Sequence, residues 1–256
     1  AYAVAGMLKK DHEWVKPALP WANFSAGVLG LGIMMGAAWA YESLTFGGYW
    51  AWDPVENSSL VPWLILIGAI HTMVAYRNSS AALKTSIILV IATFILVLYS
   101  TFLNRSGVLG NASVHSFTDL GLSGQLLVYM LTFLVGAIAF AWYRWKDLPK
   151  DEKEIGVYSK EFWIFIGASI LGLSAFQLTF TTSIPVYNKI AAAFGLVSNL
   201  ALPADQAAHY SKIQIWIFIA VAVLSAVGQY VWWAKIKEST KWKPLWNATL
   251  IASLLT

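Results

Sequence analysis

Long apolar runs separated by short polar ones set the pattern of this chain. Residues 21–41, 60–76, 85–103, 125–145, 162–184 and 213–233 are almost continuously hydrophobic. Each approaches the ~20 apolar residues that a helix needs to cross a bilayer. In hydrocarbon, backbone N–H and C=O groups must be satisfied inside the segment itself, which selects helices. The pattern therefore predicts an all-α, polytopic transmembrane helical bundle with six full spans in a single domain. The first span is rich in Gly and Ala, which lets neighbouring helices approach closely. Between the spans lie a mixed start (1–16), the RNSSAALK connection, a polar loop at 104–122, the charged stretch KDLPKDEKEIGVYSK and a loop at 186–211.

Basic residues fall unequally on alternate connections. One side holds Lys9, Lys10, Lys16, Arg77, Lys84, Arg144, Lys146, Lys150, Lys153, Lys160, Lys235, Lys237, Lys241 and Lys243; the other holds Arg105, Lys189 and Lys212. Cytoplasmic loops carry the Lys and Arg excess. The first side is therefore expected in the cytoplasm. The stretch between the first two spans and the loops at 104–122 and 186–211 are expected on the outer face, periplasmic in a bacterium.

Composition agrees with a membrane protein: 58% of residues are hydrophobic and 12% charged, against about 45–50% and 25% in soluble domains. With no cysteine, the chain supplies no disulfide, zinc–thiolate site or thiol nucleophile. It begins at Ala1 and stops within an apolar run, 246–256, and is expected to be an internal piece of a longer protein.

One polar and aromatic strip interrupts the apolar pattern, FGGYWAWDPVENSSLVPW at 46–63. Phe46, Tyr49, Trp50, Trp52 and Trp63 surround Asp53 and Glu56, with no basic residue among them. An interfacial aromatic belt is the bland reading. The Gly47-Gly48 turn and Pro54 point instead to a shaped platform, with residues 54–57 opening a short helix. Asp53 before Pro54 matches an N-cap followed by proline at the first helical position. Asp53 and Glu56 are expected mainly to support the loop, with direct catalysis by Asp53 as the alternative.

Two histidines carry candidate chemistry. His71 lies inside the second span, where an ionisable group is costly and marks a functional site by default; it either hydrogen-bonds a neighbouring helix or ligates a metal. His115, in NASVHSF, is a plain loop residue or an iron ligand. Arg105 either pairs with an anionic substituent near His115 or forms a structural ion pair. His12 and His209 are expected to be solvated surface residues. A flat apolar macrocycle such as haem would suit this inventory, with tryptophans as stacking area and imidazoles as axial ligands.

The segment WAYESLTFGGYWAWDPVENSSLVPWL resembles the tryptophan-rich WWD signature of the haem-handling family of cytochrome c biogenesis, in particular its haem lyase branch and the nitrite-reductase-pathway relatives. TFLNRSGVLGNASVHSF resembles the same family's histidine loop. The family's usual Trp is replaced here by Phe46, which has no N–H to donate. The resemblance implies haem lyase activity, covalently joining haem to apocytochrome c. Trp50, Trp52, Asp53 and His115 would carry the reaction, with Tyr49, Trp63, Glu56 and Arg105 in the haem site. It implies transferred haem as substrate on His115 and an embedded haem b on His71, whose usual partner histidine is absent from the later spans. The implied partners are a haem chaperone, an apocytochrome c bearing Cys-x-x-Cys-His, other maturation subunits, membrane lipid and quinol, and no nucleic acid. The implied location is the bacterial inner membrane with periplasmic functional loops. A haem exporter or other transporter is the rival class; against it, the spans offer few polar groups beyond His71, Gln177 and hydroxyl residues, and no inverted repeat.

Overall fold

The computed structural model describes residues 1–44, 48–76, 81–115, 121–148 and 159–228, with Asn247 and Leu250; among them every regular element is helical. In chain order these are α1 (Tyr2–Lys9), α2 (Val15–Ser43), α3 (Pro54–Ala75), α4 (Ala81–Arg105), α5 (Ser123–Arg144), α6 (Lys160–Thr182), α7 (Ile184–Ala193) and α8 (Gln206–Gly228). Among the described residues, six helices, α2 to α6 and α8, are long and apolar enough to cross a membrane. The chain is an all-α membrane bundle.

Helix α3 is the central element, enclosed by α2, α4 and α6, while α8 packs on α6 and α5 on α4. Small residues set its spacing. Gly68 of α3 faces Ala168 of α6, where an added Cβ would sit 3.7 Å from the alanine methyl. Hydroxyl and amide groups fasten the spans, as expected where lipid gives no hydrophobic drive for helices to associate. Ser86 of α4 donates to Thr72 Oγ1 of α3 at 3.0 Å, and Tyr99 of α4 lies 2.5 Å from Ser183 Oγ after α6. Between α6 and α8, Ser174 donates to Gln214 Oε1 at 2.6 Å and Gln214 Nε2 donates to Gln177 Oε1 at 2.8 Å. Gln177, with Gln214, thus holds two helices together.

Apolar side chains also cover the outside. Phe24, Leu31, Met35 and Trp39 of α2 are exposed, as are Val128, Val135 and Trp142 of α5. Such a surface is costly in water and suited to hydrocarbon.

Three local expectations change. The helix that starts at Pro54 is not short: it runs unbroken into the second span, and Glu56, Asn57 and Ser58 are buried in its first turns. The loop at 186–211 contains α7, with proline near its first position. The opening residues form α1, whose Gly6 lies under Trp14 so closely that a Cβ there would come within 2.5 Å of the indole.

The two ends of the bundle differ. At one, Lys10 pairs with Asp147 at 3.2 Å and Arg144 donates to Leu8 O at 2.5 Å. At the other, the residue pairs Asp53–Ser113 and Trp52–Tyr210 join the stretch after α2, the loop after α4 and the start of α8.

Candidate functional site

The site is built outward from the first turn of α3. Asp53 has extended backbone angles, φ −56° and ψ 143°, and Oδ1 accepts the Val55 N–H at 2.9 Å. Pro54 follows where no N–H is needed. Glu56 reaches back: Oε2 accepts from the N–H of Asp53 at 3.1 Å and of Ala51 at 3.0 Å. The two acids thereby satisfy backbone donors that the helix start leaves open, the supporting role their positions suggested. Glu56, 8% exposed, is occupied by the loop backbone.

Trp52 precedes this cap in the left-handed region, with φ +58°. Such a conformation costs a bulky residue on the order of 1–3 kcal/mol and persists only where neighbours enforce it. Asn57 Nδ2 donates to the Trp52 carbonyl at 2.8 Å. The indole stacks on Tyr210 of α8, with centroids 5.4 Å apart and planes 23° apart, and Trp50 meets it edge-on at 5.9 Å. Tyr210 is 1% exposed, so it backs Trp52 rather than extending the surface. The Trp50 indole Nε1 is buried with no acceptor. Tyr49 is exposed and stacks on Tyr41 at 4.4 Å.

His115 comes to this cap from a loop far along the chain. Its Nδ1 lies 3.1 Å from Asp53 Oδ1, and its backbone N–H donates to Ser113 Oγ at 3.1 Å. The Ser113 hydroxyl donates to the same Asp53 Oδ1 at 2.5 Å. The His115 side chain keeps 12% exposure, and the Trp39 ring from the end of α2 lies 5.9 Å away. Trp39, Asn57, Ser113 and Tyr210 were absent from the sequence-derived site. Trp39, Asn57 and Ser113 lay within the two motif segments, and Tyr210 had no signal.

Trp63 and His71 lie further along α3. Trp63 is nine residues beyond Pro54, about 14 Å along the axis, and its indole N–H donates to Ala26 O of α2 at 3.0 Å. His71 is 18 residues from Asp53, roughly 27 Å along α3, so it forms no single site with His115. It is exposed near the other end of α3, with Nδ1 2.8 Å from Ile67 O. Arg105 is exposed at the end of α4. His209, expected on the surface, is half-buried: its ring meets Tyr210 edge-on at 5.1 Å and Nε2 is enclosed without a hydrogen-bond partner. His12 is partly buried in a 3-10 turn. Phe46 lies outside the described residues. Among the described residues, no three His, Asp or Glu side chains are grouped as a metal cage.

The arrangement offers one anchored imidazole beside two fixed indoles and an unused indole N–H. It can present an imidazole nitrogen and an apolar face to a planar ligand.

Residues 2–110 match the family described as Cytochrome C assembly protein. Over 235 residues the chain is 31% identical to the cytochrome c-type biogenesis protein CcmF of Pseudomonas fluorescens, covering 91% of this chain and 34% of that protein. It is 28% identical to the Escherichia coli K12 CcmF over 259 residues, covering 100% and 38%, and 37% identical over 146 residues to the probable cytochrome c-type biogenesis protein NrfE of the same strain, covering 56% and 26%. The chain thus spans about a third of the length of the first two. A solved structure titled Cytochrome c Heme Lyase CcmF shares the fold, with a TM-score of 0.68, 24% identity, and coverage of 93% of this chain and 34% of that one.

Proposed function

Because residues 2–110 match the cytochrome C assembly protein family, we propose that the chain is the haem-presenting part of a cytochrome c haem lyase. Transferred haem is the substrate. It lies at the Trp50/Trp52 end of the bundle with His115 as an axial ligand to its iron. The observation that carries this reading is the meeting of two distant segments: Asp53 of the tryptophan strip and His115 of the later loop are 3.1 Å apart. That contact sets an imidazole beside an aromatic surface whose shape is already fixed. An aromatic pair supplies stacking area for such a ligand.

The reaction joins each thiol of a Cys-x-x-Cys-His segment to a haem vinyl group. The S–C bond forms as the vinyl C=C is saturated, and the thiol proton goes to the neighbouring carbon, so no electrons are gained or lost. The chain itself has no cysteine; both thiols come from the apocytochrome. This chain's contribution is position, where holding reactants in geometry supplies much of a rate. Trp52 is held by Asn57 and Tyr210, and the imidazole is held at the helix cap. Partners of the whole protein are a haem chaperone, the apocytochrome and other maturation subunits. Its place is the bacterial inner membrane, with the Trp50–His115 end in the periplasm.

His71 suits a second, resident haem b. With Nδ1 used on Ile67 O, Nε2 carries the lone pair, and the side chain is exposed on α3. That group would supply electron transfer, drawing on quinol, to keep the transferred haem reduced.

The test is covalent haem staining of a reporter cytochrome made with the full-length protein. His115→Ala is expected to lose most holocytochrome and to regain part with added imidazole. Wild-type yield in that variant would remove the assignment.

A further inference from the structure

Asp53 Oδ1 receives three groups at once: the Val55 N–H at 2.9 Å, the Ser113 hydroxyl at 2.5 Å and the Nδ1 edge of His115 at 3.1 Å. An N-cap alone needs only the first. The residue is 7% exposed, and a buried carboxylate needs strong partners to remain charged. The Ser113 hydroxyl is held in turn, since it accepts the His115 backbone N–H at 3.1 Å. Ser113 thus ties the backbone of the histidine to the central helix, and the His115 Nδ1 lies beside the Asp53 carboxylate at 3.1 Å.

We propose that Asp53 is a positioning residue for His115: its carboxylate takes the Nδ1 edge and leaves Nε2 as the nitrogen offered to iron. This rests on the reading of His115 as a haem ligand. In a neutral imidazole one nitrogen carries the proton and the other the lone pair, and a carboxylate at Nδ1 selects the tautomer with the proton there. The same contact makes the ring a stronger donor, the usual effect of a carboxylate behind a metal-bound histidine. The aspartate of the tryptophan strip thus serves the histidine of a different loop, rather than the haem edge, whose propionates it would repel.

The experiment separates this role from capping. Asn caps helices as well as Asp, so Asp53→Asn keeps an oxygen for the Val55 N–H and removes the charge behind His115. Full-length protein is purified with captured haem as parent, Asp53→Asn, Ser113→Ala and His115→Ala. Melting temperature, the ferric visible spectrum, haem dissociation and reduction potential are measured. Asp53→Asn is expected to melt like the parent, to lose haem about 10–100-fold faster, and to show a raised reduction potential, because a weaker donor stabilises ferric iron less. Ser113→Ala should shift both quantities the same way and less far. If Asp53→Asn keeps the parent's dissociation rate and potential while His115→Ala loses the ligand spectrum, Asp53 is only a cap; the positioning role falls and the ligand reading stands. If His115→Ala leaves the spectrum unchanged, the ligand reading falls and takes the positioning role with it. Should Asp53→Asn fail to fold, Ser113→Ala decides: a parental rate and potential there overturn the proposal.

Discussion

Trp52 shows how much a single residue can store. A left-handed backbone under a bulky side chain is unfavourable by itself, yet here it turns the indole onto Tyr210 while the carbonyl meets Asn57. Asn57 is wholly buried, so Asn57→Ala removes the carbonyl's partner without giving access to water. A buried polar group left unpaired costs about 1–3 kcal/mol, and that loss should appear as a lower melting temperature in detergent together with weaker haem retention. Trp52→Ala tests the ring itself. A stacked aromatic contributes on the order of 0.5–1.5 kcal/mol beyond area burial, so cytochrome assembly should fall without vanishing. Added imidazole should not restore it, because the loss is a ring face and not a ligand. Rescue of Trp52→Ala by imidazole would assign this tryptophan to the iron's coordination instead. The cap residues Asp53 and Pro54 were readable from their order in the chain. The positive φ of Trp52 was not, because nothing in WAWDP marks it and the groups that enforce it include one from α8.

At the scale of elements, α3 joins two functions that the apolar count separated. A hydropathy pattern sees a span at 60–76 and a polar strip before it. Asp53, Pro54 and Glu56 start the helix earlier by satisfying its open N–H groups, and the strip becomes its first turns. Rigid motion of α3 would therefore carry the Asp53 end and the His71 end together. The seam with α2 is a separate matter. Trp63 was assigned to the platform from its type and neighbourhood, yet its N–H crosses to Ala26 O at 3.0 Å over Gly30, where a Cβ would lie 3.0 Å from the indole nitrogen. Trp63→Phe should lower stability by about 0.5–1.5 kcal/mol, the net worth of one hydrogen bond, with the haem dissociation rate unchanged. A changed dissociation rate at parental stability would return Trp63 to the ligand site. Helix α7 escaped the sequence reading for a simpler reason: ten residues are too few for a span, and the apolar pattern counts only spans.

For the whole molecule, the two ends carry different chemistry, and the predictions follow that division. A reporter active only in the periplasm should be active when fused after Gly110 and silent after Lys150, since the Lys and Arg excess marks the other side as cytoplasmic; the reverse result would invert the site's placement. His71→Ala in the full-length protein should deplete a b-type haem spectrum while leaving His115-dependent haem capture intact, because His115 sits at the Asp53 cap and His71 lies roughly 27 Å from that cap along α3. Loss of both haems together would argue for one site or for misfolding. The sequence by itself determined the all-α class and the number of spans, because a bilayer permits only backbone that satisfies its own hydrogen bonds, and hydropathy records that demand locally. It also singled out two short segments, the tryptophan strip and the His115 loop, through residue order in two motifs. Only the tertiary structure decided which residues meet. Asp53 with His115, Trp52 with Tyr210 and Trp63 with Ala26 are contacts across 62, 158 and 37 positions. Such pairs are chosen by the packing of helices around α3, where shape and hydrogen-bond satisfaction are settled between segments, and neither leaves a local pattern in the chain.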